Sequence, residues 1–487
     1  MGKRENVTSN LIWRFLERFG AHGVTFVVSI ILARLLDPKV YGMIALVTVF
    51  TTIMQVFVDS GLGMALIQKK DADDLDFSTI FFFNIGMCLI LYWAMFFIAP
   101  VIANFYEMPD LVWVIRVLSL TIVVSGVKNI QQAYISRNLM FKKFFFATLI
   151  GTIGAAIIGI SLAYLGFGVW ALVVQNLFNV TVDTIILWIT VKWRPKLMFS
   201  WARWKVLFKY GWKLLVASLI ETGYNNLHAL IIGKKYSAED LAYYNKGDQF
   251  PRFIVSNINT SINSVLLPTL AQEQENKKRI KEMVRRAIKV ATYVMMPMMV
   301  GLAVCADPLV RILLTEKWLP AVLFLRIFCI SYAFYPIHTA NLNAMKAMGK
   351  SDIFLRAEII HRSLGVVVLV STMFINVEAI AYGALFVSIV SQAVDAWPNK
   401  KLFDYGYFEQ IKDILPNIII SIIMGVSVFL ISLLNIDYYL MLIIQIPIGI
   451  LIYWGLSKIF KIDSYKYIVE IAKNTLQKIR PKKKKRG

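Results

Sequence analysis

The stretch Ser29–Lys69, SIILARLLDPKVYGMIALVTVFTTIMQVFVDSGLGMALIQK, decides the architecture. Two apolar runs meet at the turn LDPKVYG, and the second is about 20 residues or more, enough to cross a hydrocarbon core of roughly 30 Å as a helix. That second run is not apolar all round. Thr48, Thr52, Gln55 and Asp59 follow the spacing 4, 3, 4, which sets them along one helix face. A helix of membrane length with a polar stripe cannot turn that stripe to lipid, so the chain is read as a helical bundle.

Similar runs recur to the end of the 487 residues, in a composition 58% hydrophobic and only 17% charged, which excludes an ordinary soluble domain. Spans are expected near 10–36, 40–67, 77–103, 110–136, 144–165, 168–191, 210–233, 242–271, 290–306, 320–345, 353–375, 378–398, 413–435 and 438–457. That makes an all-α polytopic membrane protein of about 14 transmembrane helices, the first of them an uncleaved span. Cys88, Cys305 and Cys329 lie in or beside apolar runs, with no spacing that suggests a disulfide framework or a metal site.

A net charge of +22 suggests nucleic acid until the charges are placed. Of the 52 Lys and Arg residues, 36 fall on the side of both termini and 5 on the other, the bias of cytoplasmic loops. Both termini are therefore expected in the cytoplasm, and the excess charge is topological. The tail Lys478–Arg486, KIRPKKKKR, is expected to sit against anionic phospholipid headgroups.

Arg252, Ser256, Asn259 and Asn263 repeat the 4, 3, 4 stripe 204 residues after the first, and Asp248 adds one more turn. At 1.5 Å per residue the stripe from Asp248 to Asn263 covers roughly 22 Å, most of a membrane thickness. Gly23 and Gly223, Arg34 and Lys234, and Gln132-Ala133-Tyr134 and Asn343-Ala344-Met345 correspond at shifts of 200 to 211, an internal duplication. Buried cations collect at matching places: Arg14 and Arg18 with Glu17, Lys213 followed by Glu221, Asn225 and His228, and Arg252 with Asp248 beside Pro251. Charge at that depth is costly, so two similar halves lined this way point to a central hydrated cavity.

Ser29–Lys69, FYEMPDLVWVIRVLSL (105–120), QQAYISRNLMFKKF (131–144) and GFGVWALVVQ (166–175) together resemble the Wzx-type polysaccharide exporters. The similarity is to the subgroup of colanic acid and teichuronic acid exporters, in the multidrug/oligosaccharidyl-lipid/polysaccharide superfamily. In the second half YSAEDLAYYN (236–245) stands where the DPKVYG turn would repeat, so no individual residue role transfers.

The resemblance implies a six-helix lobe over 1–200, a second over 201–404, two additional helices over 405–460 and a basic cytoplasmic tail over 461–487. It also implies a flippase in the bacterial inner membrane, with a polyprenyl-diphosphate-linked oligosaccharide as substrate and polysaccharide polymerase or glycosyltransferases as neighbours. For that substrate Arg14, Arg18, Lys213 and Arg252 suit a pyrophosphate clamp, because cations, and the arginine fork above all, bind phosphate oxygens. Thr52, Gln55, Asn259 and Asn263 suit contacts to sugar hydroxyls. Asp59, Glu221, His228 and Asp248 either couple an ion gradient or neutralise the cations.

No cofactor, metal or nucleic-acid partner is expected, and no GxxxxGK loop supports ATP as an energy source. Short outward loops argue against an enzyme. A cation-coupled drug exporter of the same fold and a membrane scaffold for glycosyltransferases are the rival readings.

Overall fold

The computed structural model describes residues 20, 23–59, 61–434 and 436–479, and among these all regular structure is helical. It divides into two compact units, Met1–Ala242 and Tyr243–Gly487.

Unit 1 holds α1 (Gly23–Leu35), α2 (Pro38–Asp59), α3 (Leu62–Gln68), α4 (Asp74–Phe105), α5 (Leu111–Leu118), α6 (Leu120–Arg137), α7 (Phe141–Tyr164), α8 (Val169–Thr190) and α9 (Trp201–Lys235). Helix α10 (Ala238–Gln272) begins in unit 1 and runs into unit 2. Unit 2 continues with α11 (Lys277–Val304), α12 (Ala306–Leu313), α13 (Ala321–Ala333), α14 (Tyr335–Ala347), α15 (Ser351–Thr372), α16 (Val377–Phe403), α17 (Tyr407–Ser432), α18 (Tyr438–Ile459) and α19 (Asp463–Ile479).

Ten helical segments among the described residues are long and apolar enough to cross a membrane, with α2–α3, α5–α6 and α13–α14 each counting as one. Helices α9, α10 and α15 are as long but more polar, and α1 is apolar but shorter. Against these ten, the count of fourteen read from the sequence is approximate. Lipid-facing surface is marked by exposed Ile90, Trp93, Phe97 and Val101 on α4 and by Ile443, Ile446 and Ile450 on α18. The hydrophobic effect cannot hold such helices together in lipid, so the contacts between them rest on close packing and hydrogen bonds.

Helix ends follow local chemistry. Asp73 and Asp76 form a reciprocal capping box at α4, with Asp76 N donating to Asp73 Oδ1 at 2.9 Å and Asp73 N to Asp76 Oδ2 at 3.2 Å. Asn276 caps α11 without the reciprocal bond, its side chain accepting from Arg279 N at 3.0 Å. The segment α5–α6 steps at Ser119 and α13–α14 at Phe334, each through one i to i+3 hydrogen bond of 3.0 Å, Ile122 N to Ser119 O and Ile337 N to Phe334 O. Pro336, without an amide hydrogen, explains the second step; no comparable residue explains the first.

The packing repeats as well. In unit 1 the stepped span packs on α8, and α7 and α8 form a hairpin; in unit 2 the stepped span packs on α16, and α15 and α16 form the corresponding hairpin. The compact division falls at Ala242, because α9 packs along α2, α3 and α4 of unit 1.

Candidate functional site

In unit 1 the stripe on α2 lies on an accessible face. Thr48, Thr52 and Asp59 are exposed and Gln55 is half-buried. Asp59 Oδ1 accepts from Gln55 Nε2 at 3.3 Å and from Asn129 Nδ2 of α6 at 2.9 Å, so two amides orient the carboxylate. One residue before Asn129, Lys128 Nζ reaches Asp183 Oδ2 of α8 at 2.9 Å. On α9, Lys213 and Glu221 are exposed and His228 is half-buried. Arg14 and Arg18 lie outside the described residues.

A cavity of about 240 Å³ opens among α1, α2, α7 and α8, and its polar lining comes from Ser29, Tyr41, Thr152, Gln175, Asn176 and Asn179. It carries hydroxyls and amides without a formal charge, a composition suited to a neutral polar ligand.

In unit 2 the stripe on α10 is built around an ion pair. Asp248 is buried; its Oδ2 lies 2.6 Å from Arg252 Nη2, and its Oδ1 accepts from Tyr332 Oη at 2.8 Å. The Arg252 side chain is nonetheless 69% exposed. Asp248 therefore holds one edge of the guanidinium and leaves further N–H donors presented. The pair is neutral in sum, so it can recognise an anion through directed donors rather than net charge.

One and two turns beyond, Ser256 is exposed and Asn259 half-buried, and then Asn263 is exposed. Asn259 Oδ1 accepts from Thr339 Oγ1 and Asn263 Oδ1 from Asn343 Nδ2, both at 2.6 Å, so these asparagines also tie α10 to α14. Amides so used keep their remaining donors and acceptors for a ligand.

Two features escaped the sequence reading. One is the Lys128–Asp183 pair, whose members are 55 residues apart on different helices. The other is a buried amide cluster in unit 2: Asn341 Nδ2 donates to Gln410 Oε1 at 2.9 Å, while Asn341 Oδ1 accepts from Asn399 Nδ2 at 2.8 Å and from Gln410 Nε2 at 3.0 Å. The signal for both was a polar residue inside an apolar span, which identifies the residue but not its partner.

Among known proteins, the chain is 23% identical over 390 residues to the succinoglycan biosynthesis transport protein ExoT of Rhizobium meliloti (strain 1021), covering 80% of this chain and 77% of that protein. It is 24% identical over 397 residues to the teichuronic acid biosynthesis protein TuaB of Bacillus subtilis (strain 168), covering 79% and 80%. The fold is similar to that of lipid II flippase MurJ in its inward closed conformation, with a TM-score of 0.77 and 16% identity over 94% of this chain and 100% of that one. The fold is that of a multi-pass membrane protein. A family model described as polysaccharide biosynthesis protein matches residues 31–323, and the chain belongs to that family.

Proposed function

We propose that this protein carries a lipid-linked oligosaccharide from the cytoplasmic to the outer leaflet of the bacterial inner membrane, for assembly of a surface polysaccharide. It acts as a transporter and not as an enzyme, with both termini in the cytoplasm. The observation that carries the reading is α10, a 35-residue helix with Arg252, Ser256, Thr260, Asn263 and Ser264 all exposed. Lipid would reject such a face, so it borders a hydrated path.

In unit 2 Arg252, presented by Asp248, contacts the diphosphate; in unit 1 Lys213 is the described cation of the expected set, Arg14 and Arg18 lying outside the described residues. Thr52, Gln55, Asn259 and Asn263 meet the glycan, and the polyprenyl chain stays in lipid. In this reading Asp248 serves as the counter-ion of Arg252. Asp59, Glu221 and His228 are then the groups left to couple an ion gradient. The names of the relatives support the substrate class, since ExoT is a transport protein of succinoglycan biosynthesis and TuaB belongs to teichuronic acid biosynthesis.

A charge-assisted hydrogen bond contributes about 1.5–3 kcal/mol, so Arg252→Ala is expected to cut export roughly 10- to 100-fold while Arg252→Lys retains part of it. Surface polysaccharide in cells is the measurement, with membrane insertion and thermal unfolding of each variant followed alongside. Normal polysaccharide in a correctly inserted Arg252→Ala protein would discard the clamp. Removal of the residues after Asp463 separates transport from scaffolding: a transporter keeps exporting, and a scaffold does not.

A further inference from the structure

Unit 2 encloses a second polar cluster that the proposed transport path does not use. His338 on α14, His361 on α15 and Asp395 on α16 converge, and one ligating atom from each lies within 4.8 Å of the others. His338 Nδ1 is 2.5 Å from Asp395 Oδ2, and His361 Nε2 is 3.1 Å from Asp395 Oδ1. The two imidazole rings stand 5.7 Å apart between centroids. The whole sequence contains only four histidines, so meeting two of them on one carboxylate is not the background expectation for this chain.

The carboxylate is the informative group. Asp395 is 0% exposed, and its Oδ1, 3.1 Å from His361 Nε2, accepts no aligned hydrogen bond among the described residues. A fully buried carboxylate oxygen whose nearest polar neighbour is a poorly aligned imidazole is incompletely compensated. A cation placed between it and the two imidazoles would complete that compensation.

We propose that His338, His361 and Asp395 bind one divalent transition-metal ion of the zinc class. Two nitrogen ligands and one carboxylate oxygen suit zinc or cobalt and are a poor match for sodium, potassium, magnesium or calcium, which take oxygen. With ligand bonds of about 2.0–2.1 Å, tetrahedral donors sit about 3.3 Å apart, close to the 3.1 Å between His361 and Asp395, whereas the 2.5 Å between His338 Nδ1 and Asp395 Oδ2 is a hydrogen bond that an ion would replace and widen. Three protein ligands leave a fourth position for water, the open form of such a site.

The site lies deep in the bundle. His338 is 9 residues from the end of α14, His361 is 10 from the start of α15, and Asp395 is 8 from the end of α16, which places all three about 12–15 Å from that side of the helices. One ion there ties three helices together. Binding does not depend on what the protein transports, so the two readings stand or fall separately.

The test uses the full-length protein in detergent, stripped with a chelator and titrated with Co²⁺ and then Zn²⁺, by calorimetry and visible absorption. The expected result is one Co²⁺ per chain with the intense ligand-field bands of a four-coordinate ion, displaced by Zn²⁺. His338→Ala, His361→Ala and Asp395→Asn should each weaken binding by at least the ~10- to 100-fold that loss of an outer-shell partner costs, while His228→Ala should not. If the alanine variants do not fold, Zn²⁺ should still raise the thermal unfolding temperature of the unmodified protein, and His361→Asn should remove that rise. Absence of binding, binding that survives in the His338→Ala/His361→Ala double variant, or a melting temperature indifferent to Zn²⁺ would each overturn the proposal.

Discussion

Asp183 and Asp395 occupy matching positions, each on the last helix of a hairpin packed against a stepped span, and each leaves its Oδ1 without a hydrogen bond among the described residues. What meets the other oxygen differs. In unit 1 it is the ammonium of Lys128 at 2.9 Å, and in unit 2 it is the imidazole of His338 at 2.5 Å, while His361 of α15 lies 3.1 Å from Oδ1. An ammonium supplies its own charge and has no lone pair, so it closes the site. Imidazoles can be neutral and carry lone pairs, so they leave the carboxylate able to share a metal ion. The same architectural position thus serves as a fixed ion pair in one unit and as a ligand set in the other.

The largest expected effect tests the fixed pair. Asp183→Ala strands Lys128 in a poorly solvated setting, and loss of one partner of a buried pair costs about 3–5 kcal/mol. Asp395→Ala removes a hydrogen bond to the His338 imidazole, which can remain neutral, for about 1–3 kcal/mol. Thermal unfolding in detergent measures both; equal losses would break the contrast.

Lys128→His is the sharper, smaller change. It gives unit 1 the His–Asp pairing of unit 2 but no second imidazole, since α7 contains no histidine. A loss of about 1 kcal/mol is expected, with no second metal bound when the Co²⁺ titration is repeated. A second bound ion would show that one histidine and one aspartate suffice, and the role assigned to His361 would be lost.

The smallest effect lies outside the membrane, where α4 is capped by Asp73 and α11 by neutral Asn276. The Asp76 backbone N–H, followed by the charge of Arg203, holds the Asp73 carboxyl below the ordinary carboxylate range. A depressed folded-state value means that this stabilisation is present at neutral pH and lost as pH falls below about 4 through the folded-state value. Asp73→Asn should therefore cost no more than about 1 kcal/mol at pH 7, less in high salt because the site is open to solvent, and nothing in strong acid. Unfolding followed against pH would show this; a difference that persists in acid would mean that the Asp73 charge is irrelevant to the cap.

Much of the fold was legible because lipid imposes a length and composition on every spanning segment, and the sequence boundaries of α4, α8 and α18 fall within about three residues of the observed ones. The α2 and α10 stripes were legible for a similar reason: spacing within one helix is local information. Partnership between helices is not. Asn259 and Asn263 gave no sign that they would bond Thr339 and Asn343, and Asp395 sits 34 residues beyond His361 and 57 beyond His338 in apolar sequence. Extending the repeat shift of about 211 to Asp183 and Asp395 would have flagged the matched aspartates.

Gly42 on α2 is so close to the first turn of α10 that an added Cβ would lie 1.8 Å from the Ala238 carbonyl oxygen, and one added at Gly233 would lie 2.2 Å from Leu46. At Gly42 the contact is main chain against main chain, with no knob seated in a hole. Such a seam resists any added methyl group, because the obstacle at Gly42 is a backbone carbonyl that cannot rotate aside as a side chain could. A single methyl added at either glycine would therefore wedge the packed helices apart rather than fill a gap.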